Sequence, residues 1–307
     1  MSVVAPFNIT EGNRVPYVTI QEVLNSATAA SIDFTNLIPG ASINAQNVAL
    51  QELIVKASTE ADNYCLGALG TLCATVNTEN GRYRGNRLGQ FIVQPQYWPI
   101  LELRSFQYGY NPGSLNQVTL SNTNTFIERH QFIITAQTGV YSGTTYGSLD
   151  MVGGKFPPQE QFCQWTYVNG FANTFSNGAV TAGATSITVD SAIGIYPNSQ
   201  LTIWDGAKDE TITIASTYDG VSLTLPLASP LQYSHTTDVN VSALPATIKQ
   251  AVIHFIVAMV KERGDGSLVI NEIGEPVQST SKTSSQEWDK AAAYDLLDAF
   301  KQIWGRA

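Results

Sequence analysis

The chain has 307 residues, of which 43% are hydrophobic and 13% are charged, and its formal net charge is −9. The hydrophobic share is that of a globular protein and excludes a disordered chain. The acidic balance argues against a protein that grips nucleic acid, because phosphate binding depends on Lys and Arg. A charged share about half of the usual one leaves uncharged polar residues to cover the surface. Such a surface fits a subunit of an assembly, and it also fits a secreted β-protein.

The cysteines and the N-terminus bear on the cellular compartment. Cys65, Cys73 and Cys163 form no C-x-x-C pair and are odd in number, so we expect reduced, partly buried thiols in a cytoplasmic context. The N-terminus lacks the basic and apolar regions of a secretion signal, and no run approaches the ~18 apolar residues of a membrane span. The sequence therefore predicts neither Sec-type secretion nor a membrane segment.

Two helices are predicted after a loose arm over residues 1–16. Thr19-Ile20-Gln21-Glu22 has the capping-box pattern that starts a helix, and this short helix ends near Ser26. A longer amphipathic helix runs from Ile43 to Gly67. Its apolar positions recur at helical spacing: Val48, Leu50, Leu53, Ile54, Ala57, Ala61, Tyr64 and Cys65.

Between about residue 75 and residue 175 the apolar period becomes two, which predicts β-strands. Proline and glycine pairs separate the segments. The predicted strands are 91–95, 100–106, 117–120, 132–135 and 164–168.

Residues 176–243 are predicted to form a separate small β-sandwich or barrel. Its strands, 186–189, 200–204, 210–214 and 222–225, are spaced about ten residues apart with Asp-Gly turns. Lys208 is its only basic residue, against Asp190, Asp205, Asp209, Glu210, Asp219 and Asp238. The module is therefore acidic.

Two further helices are predicted at the C-terminal end. One starts at Leu244-Pro245-Ala246, with Pro in the first turn where its missing amide is harmless, and ends near Arg263. After a polar stretch over 265–285, Ser284 to Glu287 offers a second capping box. The last helix is predicted to carry an apolar stripe of Trp288, Ala292, Leu296, Phe300, Ile303 and Trp304.

These elements predict an α+β fold, with helical portions at the two chain ends packed with a central antiparallel β region. The predicted divisions are residues 1–175 for the N-terminal helices and β region, 176–243 for the inserted all-β module, and 244–307 for the C-terminal helices. Short isolated helices are marginal in water, so the ends must pack on each other, on the β region, or on neighbouring subunits.

We find no catalytic constellation and predict that the chain is not an enzyme and needs no metal or cofactor. His130, His235 and His254 have no metal-binding spacing and are interpreted as surface or satisfied core histidines. P-loop, Rossmann and Gly-x-Ser-x-Gly motifs are missing. Asp205, Asp209 and Glu210 are interpreted as a solvated hairpin turn. A glycosidase-like enzyme of the cell wall, using Asp205 and Glu210 or another pair of carboxylates, is the enzymatic alternative.

Two groups of residues are candidates for contact with a partner. Arg82, Arg84 and Arg87 form a basic cluster with Tyr83 between them, and we favour contact with a protein subunit over contact with nucleic acid. Tryptophan is enriched at interfaces, although an apolar stripe normally belongs to a core. The candidates in the last helix are Trp288, Phe300 and Trp304.

Five passages, in their order along the chain, together resemble the head–tail connector (adaptor) family of tailed bacteriophages. Residues 17–23 resemble its opening short helix, and residues 50–58 through 62–65 resemble its first long helix. The Arg82–Arg87 loop followed by 93–95 and 98–103 resembles its passage of arginines, strand, proline and strand. Residues 164–171 resemble a strand that normally leads almost directly to the helix at 244–251, which makes residues 176–243 an insertion.

The resemblance implies a structural virion protein that assembles in the host cytoplasm and resides in the neck. It implies a homo-oligomeric ring, typically a dodecamer, that contacts the portal protein and tail-side completion or terminator proteins. Genomic DNA would pass through the lumen without sequence-specific binding. Residues 265–307 resemble the parts that engage the portal and neighbours, so we expect them to change most on assembly.

A binding module is the alternative to this function. In that hypothesis the chain is a virion-associated β-protein that binds carbohydrate or the host surface, with Trp204, Tyr196 and Tyr218 as a stacking platform. Strand patterning assigns some of these aromatic residues to the core of the module instead.

Overall fold

The computed structural model describes residues 8–9, 16–30, 32–67, 70–135, 159–262 and 282–302. Helices (30%) and antiparallel sheets (33%) give a mixed α+β protein, which confirms the predicted fold class. The chain divides into two compact units: unit 1 comprises residues 1–12 and 74–170, and unit 2 comprises residues 13–73 and 171–307. The division into 1–175, 176–243 and 244–307 remains a prediction.

Two antiparallel sheets make up the described part of unit 1. The larger one has the strand order β1 (Asn8–Ile9), β2 (Thr75–Arg84), β8 (Glu160–Asn169), β4 (Ile100–Asn111) and β5 (Ser114–Val118). The smaller one has the order β3 (Gln90–Val93), β7 (Phe132–Thr135) and β6 (Thr125–Ile127). All of the strands predicted in this region lie wholly or partly in these elements, whereas β2 and β6 were not predicted. The predicted Arg82–Arg87 loop is wrong in its first part, because Arg82 and Arg84 lie on β2 and pair with β8.

The inward-facing side chains of these strands share one apolar core. Phe91, Phe106 and Phe132 are completely buried, and Trp165 is only 2% exposed. Each large side chain withdrawn from water in this way stabilises the fold by roughly 1.5–3 kcal/mol. Alternation along the strands places the intervening residues on the outer faces.

The described helices all belong to unit 2. They are α1 (Ile20–Asn25), α2 (Ile43–Leu66), α3 (Ala246–Glu262) and α4 (Lys282–Leu297), with short 3-10 turns at Ala27–Ala29, Phe34–Asn36 and Asp298–Phe300. The predicted capping box is confirmed, since the Thr19 hydroxyl accepts from the Glu22 amide and the Glu22 carboxylate accepts from the Thr19 amide. None of the described helices is long and apolar enough to cross a membrane.

The same unit contains the predicted β module. The order of its larger sheet is β12 (Glu210–Thr213), β11 (Gln200–Trp204), β14 (Asn240–Ser242) and β9 (Asn173–Phe175), and β10 (Ser186–Thr188) pairs with β13 (Thr224–Pro226). A separate apolar cluster fills the module, including Ile187, Leu201, Ile203, Ile214, Leu225 and Val241.

Helix α4 differs from its prediction in two respects. It begins at Lys282, so Ser284 and Glu287 lie inside the helix and not at its predicted start. The predicted stripe is also displaced by one residue, because Trp288 is 74% exposed while Asp289, Ala293 and Leu297 are buried. One residue corresponds to about 100° around a helix, so the buried face is rotated by that angle.

The three cysteines are free, as predicted, and they are more deeply buried than predicted, with at most 5% of each residue exposed. Burial raises the pKa of each thiol to about 12. Because the thiolate is the reactive form, these side chains behave as small apolar groups at neutral pH.

Candidate partner interfaces

The end of β2 carries two of the predicted interface arginines. The side chains of Arg82 and Arg84 are 54% and 72% exposed, and their nitrogens lie 3.9 and 3.7 Å from the carboxylate of Glu160 on β8. Exposed ion pairs of this kind contribute only about 0–1 kcal/mol. Both guanidinium groups can therefore exchange Glu160 for a partner at little cost.

The third arginine lies in the turn between β2 and β3. The Asn86 side chain accepts hydrogen bonds from the amides of Leu88 and Gln90, at 2.9 and 3.0 Å, and so fixes the turn. Arg87 and Leu88 lie at its tip, and Leu88 is 68% exposed. The three arginines thus occupy one end of unit 1, next to an exposed leucine.

Trp288 is the most exposed aromatic side chain among the described residues, at 74%. Its neighbour Asp289 anchors α4 to α3, with its carboxylate oxygens 2.6 Å from Lys261 Nζ and 3.2 Å from His254 Nδ1. Burial would raise the pKa of Asp289, but the hydrogen bonds and charges of His254 and Lys261 outweigh it and lower that pKa. The anchored helix holds a large apolar side chain in solvent, which is typical of an interface anchor.

Phe300 and Trp304 are the other two aromatic residues predicted to contact a partner, and only Phe300 lies in the described part of the chain. Phe300 is half-buried and packs edge-on against Phe171, with ring centroids 6.2 Å apart. Phe300 therefore packs within unit 2, and only part of its side chain is accessible to a partner. Trp304 lies outside the described residues.

An apolar row on the outer face of the smaller sheet was not anticipated. Ile133 on β7 lies between Ile92 on β3 and Phe126 on β6 in the strand register. Ile92 is 41% exposed and Phe126 is 49% exposed. The sequence signal that could have shown it is the continuous apolar run 132–134, since a strand in which every position is apolar has two apolar faces.

Of the predicted solvated turn, Asp209 is exposed, whereas Asp205 and Glu210 contact a buried histidine and form a clamp. The side chain of His235 is fully buried, with Nδ1 3.0 Å from the Asp205 carboxylate and Nε2 2.7 Å from the Glu210 carboxylate. Glu210 also accepts hydrogen bonds from the amides of Gln232 and Tyr233. Although burial opposes its ionisation, these amides and His235 lower the pKa of Glu210.

In this clamp, the two carboxylates proposed for glycosidase chemistry both contact His235. General acid catalysis requires a raised carboxyl pKa and a side chain open to substrate. Glu210 has a lowered pKa, and its side chain is only 7% exposed. Asp205 and Glu210 therefore hold the 232–235 segment against β11 and β12.

A second buried polar network links helix α1 to helix α3. Lys249 Nζ donates to Glu22 Oε1 at 2.6 Å and to Asn240 Oδ1 at 2.7 Å, and it lies 4.5 Å from the centre of the Trp204 ring. Burial lowers the pKa of Lys249, and the charge of Glu22 opposes that shift. The capping carboxylate Glu22 was predicted, but its partner across the fold was not.

The proposed carbohydrate platform is only partly available. Tyr218 is 5% exposed, and its hydroxyl donates to the Ser222 carbonyl at 2.7 Å, so it belongs to the core. Trp204 is half-buried and lines a cavity of about 650 Å³ together with Glu22, Asn25, Lys249, Gln250 and Ile253. The three aromatic residues therefore do not form one exposed surface.

Within the residues that the model describes, no group of three His, Cys, Asp or Glu side chains could hold a metal ion. Comparisons with protein-family models, with curated proteins and with solved structures found no match to this chain.

Proposed function

We propose that this chain is a structural virion protein, a subunit of the head-to-tail connector (adaptor) ring below the portal of a tailed bacteriophage. The observation that carries the proposal is the arrangement of the segments that resemble this family. Residues 50–58 lie in α2 and residues 246–251 lie in α3, and these two helices pack together in unit 2. Distant family-like segments therefore form one helical body, although the β module lies between them in sequence.

The exposed side chains support a role in assembly. Trp288 on α4 offers an anchor to a protein partner, and Arg82, Arg84 and Arg87 offer a basic contact at one end of unit 1. Aromatic residues and arginine are the residue types enriched at protein interfaces. In this proposal the partners are further copies of the chain, the portal protein above it and the tail-side completion or terminator proteins below it.

The charge fits a channel for DNA. A ring, which the family resemblance suggests is a dodecamer, would surround a lumen through which the genome passes without sequence-specific binding. With a net charge of −9 per chain, the subunits repel phosphates, and DNA would move through without being held. No catalytic step is part of this role.

Electron microscopy of the purified chain mixed with the portal protein of the same virus tests the proposal. Closed rings stacked coaxially on the portal are expected, and the polypeptide should be detected in mature particles by mass spectrometry. Its absence from mature particles, or a mixture without rings on the portal, would contradict the connector role.

The alternative proposal is a virion-associated protein that binds carbohydrate or the host surface. Its support is the cavity beside Trp204, where an indole adjoins polar side chains. A glycan array separates the two: a signal lost in Trp204→Ala, with the module still folded, would favour the alternative. No signal with the native chain would remove it.

A further inference from the structure

We infer that copies of this chain associate head to tail, with the basic end and apolar row of unit 1 on one copy seated on the acidic β module of the next copy. The inference rests on the proposed ring and names the contact that closes it. The proposed partner is a second copy of the chain. Its acidic β module has the opposite charge to the basic end of unit 1, and a contact between two different surfaces can repeat around a ring.

Charge is divided unequally between the two units. Unit 1 contains six basic and six acidic residues, whereas unit 2 contains ten basic and nineteen acidic residues, so unit 2 carries the whole net charge of −9. Within unit 2 the β module has one basic residue, and its exposed carboxylates include Asp190, Asp209, Asp219 and Asp238. Each copy therefore has a neutral unit with a basic end and a strongly acidic unit.

The surface of unit 1 has the composition of a protein interface. Ile92, Ile133 and Phe126 lie side by side on three neighbouring strands, so the row is about 10 Å long at the usual strand spacing. The turn with Arg87 and Leu88 leads into β3 only a few residues before Ile92, within about 13 Å along the strand. An apolar centre beside an arginine rim is the usual arrangement of a specific contact.

A contact between two different surfaces of identical subunits repeats from copy to copy. When the rotation closes, such a heterologous contact generates a ring, whereas a contact of one surface with itself stops at a dimer. The basic end of unit 1 cannot pair with its own like charge on a second copy. The surface of opposite charge on the same chain is the acidic β module. The charges therefore favour a contact between two different surfaces, which repeats from copy to copy, over a contact of one surface with itself.

Cross-linking between isotopically distinct copies tests the contact. Arg87→Lys supplies an amine at the turn, and a carbodiimide joins an amine to a carboxylate that touches it. In an equal mixture of ¹⁴N and ¹⁵N chains, we expect mixed-isotope peptides linking residue 87 to Asp or Glu of residues 176–243. Cross-links confined to peptides of a single copy, or linked to other regions, would overturn the inference.

Charge reversal gives an independent readout. In Arg84→Glu/Arg87→Glu, the midpoint concentration of self-association, measured by sedimentation, should rise by at least about tenfold, because like charges would then face each other. The matched control Lys56→Glu/Arg104→Glu changes the net charge equally at two other exposed positions and should shift the midpoint less than about twofold. Equal shifts in both variants, or a native chain that stays monomeric at every concentration, would overturn the contact.

These outcomes separate the contact from the connector role. If the native chain and the charge-reversed variant form rings on the portal equally well, the contact is wrong while the connector proposal stands. If the mixed-isotope cross-link forms but the portal never binds, the contact stands and the connector proposal fails.

Discussion

His235 shows how one buried side chain can hold a segment of the β module. Both of its ring nitrogens face carboxylates, and a carboxylate can only accept. His235 therefore bridges Asp205 and Glu210, and the position of each of the three side chains depends on the other two.

We predict that His235→Leu destabilises the protein by about 2–4 kcal/mol, because it leaves two carboxylates close together without their donor. Urea denaturation measures the loss. His130→Leu is the matched control, since His130 is exposed and its replacement should change the free energy of unfolding by less than about 0.5 kcal/mol. Equal effects of the two substitutions would argue against the bridge.

The carboxylates of Glu210 in the β module and Asp289 on α4 predict an acid-sensitive stability. The pKa values of Glu210 and Asp289 are lowered in the folded chain, so folding favours their ionised forms. Their contribution is fully present above the ordinary carboxylate pKa of about 4 and is lost as pH falls through the lowered values. In Glu210→Gln, the fall in the urea midpoint between about pH 5 and pH 3 should be shallower than in the native chain. Glu52→Gln, which removes an exposed carboxylate, is the control, and a slope unchanged in Glu210→Gln would refute the assignment.

At the scale of elements, helix α4 is the part whose surface matters most for the proposed assembly. Its inner face packs through Ala293 and Leu297 and is anchored by Asp289, whereas its outer face presents Trp288. Stability and partner binding are thus carried by opposite sides of one helix. Substitutions on the two sides should separate these properties.

We predict that Leu297→Ala lowers the free energy of unfolding by about 2–5 kcal/mol, because Leu297 is completely buried. Trp288→Ala should change it by less than about 0.5 kcal/mol, since the side chain is largely in water. If Trp288 is an interface anchor, its removal should weaken association with a partner by about 2–4 kcal/mol. Calorimetry and sedimentation of the same two variants distinguish the outcomes, and a large loss of stability in Trp288→Ala would contradict the structure.

Helix α4 also shows where the sequence is insufficient. The helix itself was predictable from its composition, but its buried face was not, because Asp289 is buried only through partners on α3. The failure to predict the burial of His235 has a similar explanation. Its local sequence is that of an exposed turn, and its burial depends on Asp205, which follows β11, and on Glu210 of β12. By contrast, Thr19 and Glu22 lie three residues apart, and their local interaction was read correctly. The local cap at Thr19 was predictable, whereas the start of α4 and the polar contacts between elements were not.

At the scale of the whole molecule, the two units differ in charge. Unit 1 is neutral and unit 2 is acidic, although each is formed from two separate segments of the chain. In the proposed ring, α4 would contact the portal and the neighbours. We therefore predict that α4 gains more protection from hydrogen exchange on assembly than the β module core does. Equal protection of α4 in the free and assembled protein, measured by mass spectrometry, would rule this out.

The double role of Glu22 bears on the order in which the protein can form during translation. One carboxylate oxygen caps α1, and the other accepts from Lys249, which is synthesised more than two hundred residues later. A helix of six residues is not stable alone in water. Unit 1 can complete its sheets while the ribosome is still adding residues beyond 170, whereas α1 and α2 must wait for α3. Until then the nascent chain exposes the apolar face of α2, including Leu50, Leu53 and Ile54, which makes this early helix a natural target for chaperones.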